Sequence, residues 1–159
     1  MATYTDGIGY NMGSTAGFPA KGLNRVSRMA VELDFVAITA ARLAAGATAL
    51  GAGDILTALS IPAKTKVLAA GIDVTTAEGG TLTLDLGDGS DADGFLDGVD
   101  GNTAASYSNS LVLTEAAPNT VLGYSNGKYY SAADTIDLVT VNAADTAVLT
   151  VWAVVVDCS

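Results

Sequence analysis

The chain has 159 residues, half of them hydrophobic, with 17 Asp and Glu against 7 Lys and Arg and no histidine. Its length suits one ordinary core, and its apolar share excludes disorder as a description of the whole chain. A formal charge of −10 excludes the basic footprint of a nucleic-acid binder, and the missing histidine removes His triads, His-ligated zinc and the commonest general base.

The charge is split along the chain. Residues 1–66 hold six of the seven cations and four acids, whereas residues 67–159 hold Lys128 and thirteen acids. That asymmetry predicts a dipolar molecule with one end suited to an acidic partner; acids that only keep an apolar chain soluble explain it equally simply. Cys158 has no second cysteine for an internal disulfide and no neighbouring group to activate it. The start has no basic and then apolar leader pattern, and the C-terminal apolar run, Val148 to Val156, is too short to span a bilayer as a helix. The expectation is a soluble product made without export.

Residues 1–28 are rich in glycine, carry Tyr4, Tyr10 and Phe18, and show neither helical nor strand periodicity. They read as an extended arm that orders on a partner. Residues 29–159 read as a single β-domain. Val31, Leu33 and Phe35 alternate with Glu32 and Asp34, the period of a half-buried strand. An Ala-rich stretch, Thr39 to Leu50, is the one helical candidate. Strands follow at Asp54–Ile61, closed by Pro62, and at Thr65–Thr76, where Gly71 suggests a bulge. Thr81–Leu86 sets Leu82, Leu84 and Leu86 on one face.

Next comes the Gly- and Asp-rich stretch Asp85 to Asn102, read as a loop with a short helix or turn near residues 93–98 and with Phe95 and Leu96 as its anchor. Further strands are expected at Ser110–Thr114, Val121–Tyr124 and Lys128–Ser131, the last two joined by a type I′ hairpin at Asn126-Gly127. Thr135–Val141 and Ala147–Asp157 complete the set, with Trp152 assigned to the core. Eight or nine short strands between Gly, Asp and Asn turns predict an all-β fold: a jelly-roll-like antiparallel sandwich with an extended N-terminal arm.

The acid-rich stretch is the conspicuous chemical feature. Asp88, Asp91, Asp93, Asp97 and Asp100 are candidate oxygen ligands for Ca²⁺. The EF-hand register fails, because Gly94 at its sixth position puts Gly89 first and Gly98 there puts Phe95 third. Asp-Gly pairs serving as turns in a solvated loop are the plainer account. Catalytic patterns are missing: Ser60 and Lys64 miss the S-x-x-K spacing, no phosphate-binding P-loop occurs, and the GIGYNMG stretch follows no strand. Paired carboxylates without aromatic platforms make a poor glycosidase. The chain reads as a non-enzyme. Lys21, Arg25 and Arg28 form a basic cluster at the end of the arm, suited to acidic groups on a partner.

The stretch Thr81 to Thr103, with its Asp91, Asp93, Gly94, Phe95 and Leu96, resembles a segment of small virion proteins of tailed bacteriophages. Ile61 to Gly80 is similar to the strand that precedes it in those proteins. The resemblance covers a quarter to a third of the chain. It implies a capsid decoration, or cement, protein on the head exterior, trimeric, bound to the major capsid protein, with no nucleic-acid or membrane partner and no required cofactor. On that reading Tyr4, Tyr10, Phe18, Lys21, Arg25 and Arg28 contact the shell. A head-fibre or tail-associated module that binds sugar or a host surface, with Ca²⁺ in the Asp stretch, is the alternative. Exposed tyrosines among Tyr107, Tyr124, Tyr129 and Tyr130 would favour it.

Overall fold

Alternation of apolar and polar side chains turns most of the chain into strands with one buried face. The computed structural model describes residues 3–4, 26–110, 123–124 and 126–158. In chain order the elements are β1 (Thr3–Tyr4), β2 (Val26–Asp34), α1 (Phe35–Ala44), β3 (Asp54–Ile61), β4 (Thr65–Thr76), β5 (Thr83–Asp88), β6 (Asp91–Asp100), β7 (Ser106–Asn109), β8 (Lys128–Tyr130), β9 (Asp134–Thr140) and β10 (Val148–Asp157). They form two sheets. Sheet A runs β1-β3-β9-β5-β6, and sheet B runs β2-β10-β4-β7, with β8 also paired to β4. The pairs are antiparallel except β1 with β3. The all-β sandwich expected from the pattern is the fold observed.

The core lies between the sheets. Sheet A contributes Leu84, Leu86, Phe95, Ile136 and Leu138, and sheet B contributes Val67, Ile72, Leu149, Val151, Ala153 and Val155, all fully buried or nearly so. Each large apolar side chain removed from water in this way contributes about 1.5–3 kcal/mol.

Several boundaries differ from the sequence reading. The helix starts at Phe35 rather than Thr39, because Asp34 caps it by accepting the Ala37 amide at 3.2 Å. It ends early in a Schellman turn: Gly46, at φ 78°, donates to Leu43, and Ala47 donates to Arg42. β2 begins at Val26, inside the segment assigned to the arm. The stretch from Asp91 to Asp100 is a strand, β6, and neither a loop nor a short helix. Its Asp-rich composition hides Phe95, Leu96 and Val99, which face the core while most of its acids remain at least partly exposed.

One local expectation is also corrected. The irregularities in the β4–β10 ladder fall beside Leu68 and Thr75, not at Gly71, which pairs directly with Trp152. Lys128–Tyr130 pairs with Thr65–Val67 of β4, and residues 121, 122 and 125 of the expected hairpin lie outside those described. β7 occupies Ser106–Asn109, and of the strand expected at Ser110–Thr114 residues 111–114 lie outside those described.

Candidate functional site

Tyr4 and Arg28, the two shell-contact candidates among the described residues, do not come together. Tyr4 is in β1, opposite Leu56 of β3, and Arg28 is on β2 of the other sheet. Tyr10, Phe18, Lys21 and Arg25 lie outside the described residues. The candidate calcium ligands do not converge either. Asp91 and Asp100 bound β6, a strand whose ten residues span roughly 30 Å at about 3.3 Å each. Asp100 is engaged locally, accepting from the Asn102 amide at 2.8 Å and the Thr103 hydroxyl at 2.9 Å. Among the described residues no three acids or cysteines gather as a metal site.

Asp88 instead anchors a polar cluster at the β5–β6 turn. One oxygen, Oδ1, accepts the backbone N–H groups of Ser90 at 2.8 Å and Asp91 at 3.2 Å, which shapes the turn, and the Tyr124 hydroxyl at 3.1 Å. The other, Oδ2, accepts the buried Tyr130 hydroxyl at 2.7 Å and the Lys128 ammonium. Lys128 Nζ also donates to Tyr124 at 2.7 Å and lies 4.3 Å from the centre of that ring. Burial pushes the Asp88 carboxyl up, but the Lys128 and Tyr130 bonds outweigh it and hold the group below its usual range. Burial itself lowers Lys128, whereas its bonds to Asp88 and Tyr124 raise it further. Tyr130, desolvated and facing Asp88, is pushed well above the usual phenol range. Every strong donor here is spent on one carboxylate, so the cluster fastens β5, β6 and β8 together.

Two more polar clusters do similar structural work. Glu78 accepts from the backbone of Asp145, Thr146 and Ala147 and from the Thr146 hydroxyl. Burial opposes ionisation of Glu78, but those bonds prevail and bring its pKa from 4.5 to about 2. The buried Arg42 donates to Asp54 at 2.8 Å and to the Thr48 carbonyl at 2.9 Å, which ties the end of α1 to the start of β3. The Asp88 and Glu78 clusters were not legible as units, since partners 40 and 68 residues apart carry no shared local motif.

The two outer faces are chemically different. On sheet A, Asp85 is raised by burial first and then by repulsion from Asp97 and Asp93. Asp137 is raised by burial and by the charges of Asp134 and Asp88. A hollow of about 300 Å³ beside the β5–β6 turn is lined by Asp88, Asp91, Asp137 and Ile55 among others.

On sheet B, Trp152 is not in the core. Val151 and Ala153 point inward, so Trp152 points out, over Gly71. Its indole N–H donates to Asp73 at 2.9 Å, and the Arg28 guanidinium lies 5.6 Å from the ring centre and 3.8 Å from Asp73. Of the four tyrosines that would report on a sugar site, Tyr107 and Tyr129 are exposed; Tyr124 and Tyr130 belong to the Asp88 cluster.

No family model matches the chain, and no curated protein matches it. Among solved structures, it is similar to a chain of the cyanophage Pam1 capsid asymmetric unit, at 16% identity and a TM-score of 0.50, over 87% of this chain and 89% of that one. The fold is one that a phage capsid uses. Chains of two further capsids are less closely similar. That of Helicobacter pylori bacteriophage KHP30 is 10% identical with a TM-score of 0.47, over 87% of this chain and 90% of that one. That of Ralstonia phage GP4 is 15% identical with a TM-score of 0.42, over 89% of each chain.

Proposed function

We propose that the chain is a structural virion protein that decorates a phage head and cements the junctions between its capsomers. The observation that carries this reading is the sandwich shared with a cyanophage capsid chain over most of both lengths. The polar clusters are consistent with it. Asp88, Glu78 and Arg42 each hold strands and loops together, and no nucleophile–base pair is among their recorded bonds. In this reading the protein is no enzyme, acts as a homotrimer on the head exterior, and binds the major capsid protein. A trimer joins several weak contacts into one strong attachment. The segment between β1 and β2, part of the arm read from sequence, adds contact area, and the acidic face of sheet A stays turned to solvent and keeps virions apart.

The test uses heads of the encoding phage assembled without this protein. Full-length protein added back is expected to co-sediment with them as a trimer by light scattering, and to raise the temperature at which the heads break. Heads that neither bind it nor gain stability overturn the proposal. Truncation to test the arm stops before Val26, because residues 26–28 belong to β2. Loss of binding with the sandwich still folded assigns shell contact to the arm.

A further inference from the structure

We propose that the outer face of sheet B, at the end where β2 begins, docks on a shell subunit whose matching surface has an apolar centre and a rim of carboxylates. This rests on the decoration reading and names the folded surface that would carry it. The ladder registers place Val26, Val156, Lys66 and Tyr129 side by side across four strands, and Arg28 beside Val154 in the next row. Val26 is 63% exposed and Tyr129 is 51% exposed. Val154, Val156 and Trp152 are half-buried on the same face. An exposed β-branched and aromatic patch on a sheet already paired on its other side is the composition of an interface core.

Charge selects the partner. Of the five described cations, Arg42 is buried on Asp54 and Lys128 is held by Asp88. The other three, Arg28, Lys64 and Lys66, stand at this one end of sheet B, Lys64 just before the first residue of β4. Arg28 keeps a side chain 55% exposed despite its approach to Asp73. The opposite sheet presents crowded carboxylates. A molecule of net charge −10 whose described cations outside the Asp54 and Asp88 pairs gather around an exposed apolar patch is complementary there to an acidic surface, and such rims steer association and fix register. The same edge is where the chain leaves residues 5–25, with Lys21 and Arg25, and enters β2.

The experiment measures binding of full-length variants to heads assembled without the protein, with melting curves to verify folding. The double variant Arg28→Glu/Lys66→Glu and the single variant Val26→Asp are each expected to weaken binding by roughly tenfold or more, and wild-type binding is expected to fall as salt rises. Asp93→Asn, on the other sheet, is expected to bind like wild type. Should a variant melt early, Lys66→Gln serves as the milder probe, with a smaller loss expected. Variants that bind as well as wild type overturn this face and leave decoration standing. Wild-type protein that ignores the heads overturns both. Variants whose own solution mass drops below that of wild type assign the face to a second copy, which overturns the shell as its occupant.

Discussion

Trp152 and Gly71 are cross-strand partners, and the indole occupies the space a side chain at position 71 would fill. A Cβ there would land on the ring and 2.6 Å from the Ser108 carbonyl oxygen. The glycine is needed for close approach, since its φ is ordinary. Gly71→Ala is expected to cost about 1–3 kcal/mol, because backbone on one side and a ring on the other must both yield. Urea unfolding measures the loss. A red shift of Trp152 fluorescence shows that the ring has lifted from the sheet, and an unshifted spectrum with full stability would show that the contact is slack.

That pair also explains which parts of the fold were legible. Asp54–Ile61 and Thr65–Thr76 are strands to the residue, because each is apolar and bounded by turn residues on both sides. Val148–Asp157 is a strand as expected, but its two faces could not be told apart from sequence. Its outward residues Val148, Val154 and Val156 are as apolar as its inward ones. Gly71, read as a bulge, was the available sign that a large side chain lies across from it. In β6 the error ran the other way. Asp and Gly at six of its ten positions suggested a loop, while three core residues, Phe95, Leu96 and Val99, were enough to hold a strand. The Asp88 cluster depends on tertiary contacts between β5, β8 and the turn before β8, so no local pattern announces it.

Lys128→Met tests the Asp88 cluster. It leaves a carboxylate whose side chain is fully buried without its cation, a loss of about 3 kcal/mol at neutral pH. The pH dependence gives the sign. In the wild type Asp88 titrates below its usual range, so its contribution is present above that range and fades on acidification. Without Lys128 the largest influence opposing burial is gone, and the group moves up. The gap between variant and wild type is therefore largest near neutrality and narrows as acid protonates Asp88. Guanidinium titrations at several pH values measure it, and a gap independent of pH would contradict the ion pair.

Glu78→Ala removes the acceptor for three consecutive backbone N–H groups, those of Asp145, Thr146 and Ala147. The Ala147 bond is buried, and an unmet buried donor costs about 1–3 kcal/mol. The folded pKa of about 2 lies below the usual 4.5, so the stabilisation is complete above 4.5 and is lost as pH falls toward 2. Wild-type protein is expected to lose stability through that window, and the variant to show a flatter acid limb. Thermal melts between pH 2 and 6 decide it.

Asp137→Asn is expected to act in the opposite direction. Burial, with the charges of Asp134 and Asp88, raises this carboxyl, and its Oδ1 has no hydrogen-bond partner among the described residues. A raised carboxyl favours the folded state when protonated, so its contribution worsens as pH climbs through the folded pKa. The amide keeps an acceptor for the Thr135 and Thr57 hydroxyls and turns a donor toward the neighbouring acids. The variant should melt higher than wild type at neutral pH and together with it in strong acid, where both side chains are neutral. A variant that melts lower at neutral pH would mean that the charge of Asp137 has a partner worth more than the repulsion it suffers.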